Sequence, residues 1–126
     1  MLKWWNGGKV FEFKNSGDNG FHGVIAQSFT NASSYTLKTN IEKYDKSALD
    51  SILGTDIMTY KYKSDVEDDG SNAEMHVGVL SEYAPDDITR EDKKSVDLYA
   101  MVALSWKAIQ ELSEQVRYLK RKLNNR

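Results

Sequence analysis

A serine hydroxyl, Ser33, and a lysine five residues on, Lys38, stand in the stretch Ser33-Ser34-Tyr35-Thr36-Leu37-Lys38-Thr39-Asn40-Ile41. A serine is a weak nucleophile until a base takes its proton, and a lysine can be that base only where burial or a neighbouring cation lowers its pKa toward neutrality. Free lysine, at about 10.4, is protonated at neutral pH. On a helix, five residues place two side chains about 140° apart around the axis, and in a strand an odd separation puts them on opposite faces. For the two groups to meet, either the backbone bends between them or Lys38 of one protomer serves Ser33 of another. Taken alone, the same spacing also reads as a solvated polar turn.

The elements that must position this pair change character near Ala32. Residues 1–32 carry strand and turn signals: Val10-Phe11-Glu12-Phe13, the breaker run Asn15 to Gly20, then Phe21 to Phe29, which reads as a hairpin. Two strands alone are marginal in water, so Trp4, Trp5, Phe11, Phe13 and Phe21 must find apolar partners elsewhere. The segment reads as the trailing end of a longer β-rich body. Beyond Ser33, Asp45 is expected to cap a short helix whose apolar positions Ala48, Leu49, Ile52 and Leu53 share a face and which Gly54 stops. Ile57 to Tyr62 and Met75 to Leu80 read as strands, and the acidic, glycine-containing stretch Ser64 to Ala73 between them as a loop.

The C-terminal segment, about 96–123, predicts a long helix. Val102, Ile109, Val116 and Leu123 recur every seven residues, and Leu98, Ser105, Leu112 and Leu119 fill the other seam position, so that only Ser105 interrupts the stripe. Two readings stand side by side. One is a coiled-coil seam, for which β-branched residues at one position and Leu at the other would suit two strands. The other is an amphipathic helix packed on its own core, because Leu104, Trp106 and Ala108 widen the apolar face.

Composition bounds the function. The 126 residues make one small domain, or one domain plus part of another, with a modest core. Lys and Arg number 17 against 19 Asp and Glu, a formal charge of −2, so no overall basic field draws the chain to nucleic acid or anionic lipid. There is no cysteine, hence no disulfide and no thiolate metal site. No apolar run reaches the roughly 18 residues that span a bilayer, so a soluble protein is expected, with no nucleic-acid or membrane partner. Asp65, Glu67 and Asp69 with Gly70 open like a calcium loop, yet His76 occupies the place of the bidentate Glu. His22 and His76 are too few and isolated for zinc, and Gly17, Gly20 and Gly23 lack the Gly-Lys-Ser/Thr of a phosphate cradle. No metal or cofactor is expected.

One resemblance organises these signals. The Ser33 to Ile41 stretch, then Tyr60-Lys61-Tyr62, then His76-Val77-Gly78-Val79-Leu80-Ser81-Glu82 with Pro85 close behind, then the amphipathic segment to Leu123, resemble in order and spacing the C-terminal intramolecular chaperone domain of phage tailspikes, endosialidases and neck appendage proteins, found also in myelin regulatory factor. The resemblance implies an α+β homotrimer, residues 33–126, attached to its own upstream shaft as folding client. It implies scission of Ala32-Ser33 by a Ser33–Lys38 dyad, a self-cleaving serine endopeptidase that turns over once. Ser34, Asn40, His76 and Glu82 are supporting candidates, and Val102, Ile109, Leu112, Val116 and Leu119 the trimer helix. Such a domain works in the host cytoplasm during assembly, leaving the shaft in the virion. The chain departs from the family pattern at Ser34, where Asp is usual, and at Thr36, where a basic residue is common; Ser34 is thereby a rival nucleophile. Two other functions fit the sequence: a structural trimerisation tip that never cuts, and a receptor module holding glycan on Trp4, Trp5 and the tyrosines.

Overall fold

The computed structural model describes residues 10–126, together with the backbone of residues 2–4. Trp5 and the side chain of Trp4 lie outside the described residues. The fold is α+β, and the chain divides into two compact units, residues 1–32 with 61–75, and residues 33–60 with 76–126.

In the first unit, β1 (Leu2–Trp4) pairs antiparallel with β2 (Phe11–Phe13), Leu2 facing Phe13 and Trp4 facing Phe11. The breaker run then turns as expected: Asp18 adopts φ of 58°, Asn15 N–H donates to Gly20 O at 3.0 Å, and Lys14 bridges Phe21. The expected second strand does not form. After His22 N–H donates to Phe13 O the chain has no regular structure to Asn31, with Ile25 and Phe29 exposed. Nothing in one chain covers those side chains, so no burial offsets the entropy of ordering a strand.

The stretch read as a loop is a second correction. Residues Lys63–Asp69 form helix α2, which runs into a 3-10 turn over Gly70–Asn72. Asp65 lies in the first turn, where the helix dipole favours a carboxylate, and Gly70, at φ of 57° and ψ of −129°, ends the helix in a positive-φ conformation open chiefly to glycine. Asp65, Glu67 and Asp69 therefore sit on a helix rather than around a cation loop. A Cβ on Gly20 would lie 2.9 Å from Ser64 Oγ, so a larger residue there would displace the Ser64 side chain.

The second unit holds the core. Ala48 on α1 (Ala48–Leu53) is fully buried and packs with Leu104 and Ala108 of α3 (Leu98–Asn124), together with Ala84 and Ile88. Helix α1 starts from Ser47, not from the expected Asp45: Ser47 Oγ accepts the Asp50 N–H at 3.1 Å. Asp45 stands two residues too early to reach the free N–H groups of the first turn. Gly54 stops the helix as expected, its N–H donating to Asp50 O. Strands β3 (Met58–Tyr60) and β4 (His76–Gly78) pair antiparallel inside the two apolar runs, Tyr60 facing His76.

A short 3-10 turn over Asp86–Ile88 leads to a bridge between Thr89 and Val96, and Lys93 ties this loop down through an ion pair with Asp86 and a hydrogen bond to Ala84 O at 3.2 Å. Asp97 caps α3, its Oδ1 accepting the Ala100 N–H at 3.1 Å, so the helix begins two residues later than expected. Of the two readings of α3, the amphipathic helix packed on its own core is the one the structure shows, on one face. Leu104 and Ala108 are buried on the core, while Val102, Ile109, Leu112, Val116 and Leu119 are exposed, and Trp106 is 68 % exposed.

Candidate functional site

The backbone between Ser33 and Lys38 bends. Ser34 caps a 3-10 turn over Tyr35–Leu37, its Oγ accepting the Thr36 N–H at 3.3 Å and pairing with Thr36 Oγ1 at 2.8 Å. Leu37 N–H donates to Ser34 O at 3.0 Å and Lys38 N–H to Tyr35 O at 3.1 Å. The turn reverses the chain within five residues, and Lys38 Nζ donates to Ser33 Oγ at 2.7 Å in the same protomer. Of the two geometries open at the level of spacing, one chain adopts the bend.

A third group meets this hydroxyl. Tyr99 Oη lies 2.9 Å from Ser33 Oγ, reaching it from the first turn of α3 across 66 residues. Ser33 is half-buried, whereas Lys38 is exposed. The nucleophile candidate thus stands at the junction of a turn and the long helix, flanked by one amine and one phenol, with the Ala32 carbonyl immediately before it.

The supporting candidates have contacts of their own. Ser34 is held by Thr36, so the two departures from the family pattern satisfy one another. Asn40 takes a left-handed backbone, φ of 53°, which asparagine tolerates, and its Oδ1 is 3.5 Å from Thr39 Oγ1. His76 stacks on Tyr60 across the β3–β4 pair, with ring centroids 5.7 Å apart. Glu82 sits in the 3-10 turn Ser81–Tyr83, its Oε2 3.3 Å from Ser81 Oγ. Among the described residues, the hydrogen bonds of Ser34, Asn40 and Glu82 go to Thr36, Thr39 and Ser81 rather than to Ser33 or Lys38. Tyr99 escaped the sequence reading altogether, because a contact across 66 residues leaves no local pattern; its position just after the Asp97 cap is the only trace.

A second polar constellation joins α1 and α3. Glu111 on α3 accepts the Leu49 N–H at 2.9 Å and so caps α1 from outside. The amide of Leu49, then the Ser47 hydroxyl and the Ala48 amide, hold its carboxyl below the ordinary 4.5. Nearby, Tyr44 Oη donates to Asp87 Oδ2 at 2.8 Å, and that bond, with burial and the Asp87 charge, pushes the phenol up to about 12. Among the described residues no group of three or more His, Cys, Asp or Glu could hold a metal ion, and no helix is long and apolar enough to cross a membrane.

Residues 33–88 match the model of the Peptidase_S74 family, described as the chaperone of endosialidase. The match takes in Ser33, Lys38, Asn40, His76 and Glu82 and ends before α3. No curated protein matches the chain.

Proposed function

Because residues 33–88 belong to the chaperone-of-endosialidase family, a chaperone family that is also named a peptidase, we propose that this chain is an intramolecular chaperone that trimerises the shaft of a phage tailspike or appendage preceding it and then frees itself by cutting Ala32-Ser33. The observation that carries the reading is the 2.7 Å contact between Lys38 Nζ and Ser33 Oγ at the first residue after that bond.

The reaction is an acyl shift followed by hydrolysis. Lys38, once neutral, takes the Ser33 proton; Ser33 Oγ attacks the carbonyl carbon of Ala32. The C–N bond to Ser33 breaks as its nitrogen takes up a proton, which leaves Ala32 joined to Ser33 Oγ as an ester with a free Ser33 amine. Water then attacks the ester carbon, the C–Oγ bond breaks, and the products are the Ala32 carboxylate and the Ser33 hydroxyl. Each chain performs this once.

Two features make the reaction answer to assembly. Lys38 is exposed in the single chain, where a partner chain can cover it and exclude water from the Ser33 contact. Helix α3 carries an uncovered stripe, Leu98, Val102, Ile109, Leu112, Val116 and Leu119, of the length and spacing on which helices associate. Registering three β-rich shafts is slow because loop-closure entropy precedes any contact that compensates it. A helical trimer at their ends raises the local concentration of the shafts, and release makes the product kinetically stable. The work is done in the host cytoplasm, before the shaft enters the virion.

The exposure of Lys38 also favours one rival, a trimerisation tip that never cuts. A denaturing gel of the chain with its shaft separates the two: cleavage gives two bands in the wild type and one in Ser33→Ala, with trimerisation retained. One wild-type band, or normal cutting in Ser33→Ala with loss in Ser34→Ala, would overturn the dyad.

A further inference from the structure

We propose that Tyr99 is the positioning residue through which α3 sets the Ser33 nucleophile, an inference that rests on the Ser33–Lys38 reading above. Ser33 Oγ has one proton to give and two lone pairs to accept with. For Lys38 to act as base, that proton must point along the 2.7 Å line to Nζ. The hydroxyl at 2.9 Å then has only one complementary role: Tyr99 donates its phenolic proton and Ser33 Oγ accepts it. A serine with a single partner swings among three staggered rotamers. With two partners on different elements, one on the 35–37 turn's far side and one on α3, it is confined to the well in which its proton faces the base.

The placement of Tyr99 adds a consequence for assembly. It stands on the first turn of α3, 47 % exposed, between Leu98 at 73 % and Val102 at 51 %. Those two neighbours are the first residues of the uncovered stripe, so a chain that covers the stripe closes over the turn that carries the phenol. Tyr99 thus both hydrogen-bonds the nucleophile and belongs to the helix expected to associate.

The experiment uses the full chain with its shaft. Tyr99→Phe removes the hydroxyl and keeps the ring; the cut rate is expected to fall at least about tenfold, in the range that lost positioning of a reacting group produces, with oligomeric state and melting midpoint unchanged. A readout independent of cutting accompanies it: with 3-fluorotyrosine at position 99, the fluorine resonance is expected to shift on Ser33→Ala and to stay in place on Thr36→Val. Wild-type cutting in Tyr99→Phe while Ser33→Ala remains whole would overturn the positioning role and leave the dyad standing. A fluorine resonance indifferent to Ser33→Ala would equally overturn it, and this arm reads out even where no chain is cut. Cutting in Ser33→Ala would instead sink the dyad itself, so the two failures are distinguishable.

Discussion

Ser33 is followed at once by the residue that makes its partner reachable. Ser34 opens the 3-10 turn by accepting the Thr36 N–H, and the turn brings Lys38 back onto Ser33. The same cap engages the Ser34 hydroxyl, which weakens its claim as a rival nucleophile. At this scale the decisive substitution is Lys38→Arg. Guanidinium keeps its charge and its donors but does not give up its proton, so it can hold Ser33 and cannot deprotonate it. Cleavage of the shaft fusion in Lys38→Arg is expected to drop at least about a hundredfold, the usual scale of a lost general base, and to match Lys38→Ala. Retained cutting, measured as the cleaved fraction over time, would reduce Lys38 to a positive charge.

Among the elements, α1 depends on help from elsewhere. Six residues make a helix too short to persist alone. Its first turn is satisfied twice, by Ser47 from within and by the Glu111 carboxylate from α3. Because the folded Glu111 carboxyl titrates below its ordinary 4.5, the stability it contributes is present in full above that value and is lost as the pH falls through the lower, folded one. Glu111→Ala is therefore expected to melt several degrees below wild type at pH 7, and the two melting curves should converge in acid. A gap between the curves that holds constant into strong acid would show that the carboxylate charge is not what caps α1.

At the scale of the molecule, α3 divides its labour. One face, with Leu104 and Ala108, belongs to the core, and the adjacent stripe faces away from it. Ser105, which interrupts the stripe, donates its Oγ proton to Met101 O at 2.9 Å, so its hydroxyl is satisfied within the helix and does not oppose burial. Ile109, at 61 % exposed, and Val116 lie on that stripe, away from the core. Changing both to Asp should leave the monomer folded, since neither contributes to its core, and should dissociate the assembly, since an unpaired charge in a closed seam costs several kcal/mol. If association is what covers Lys38, cutting stops as well. Oligomeric state and cleaved fraction are measured together on the double mutant; a monomer that cuts at the wild-type rate would show that the site is complete in one chain.

Local chemistry alone determined a good deal of this protein. The Ser33 and Lys38 types and spacing, the seven-residue stripe of α3, the Gly54 stop, and the apolar runs around β3 and β4 are all signals carried within a few residues, where propensity and periodicity act directly. The tertiary structure decided what such signals leave open. Which way the chain bends between Ser33 and Lys38 depends on a turn that either extended or helical backbone would have abolished. That Tyr99 reaches Ser33, and that Glu111 caps α1, follows from contacts of α3 with residues 66 and 62 positions away. The expected strand after Phe21 failed for want of a surface to bury it, and α2 formed where acidic composition suggested a loop. For the Tyr99 and Glu111 contacts and for the missing strand, the deciding free energy is a long-range contact or its absence, which no window of neighbouring residues contains.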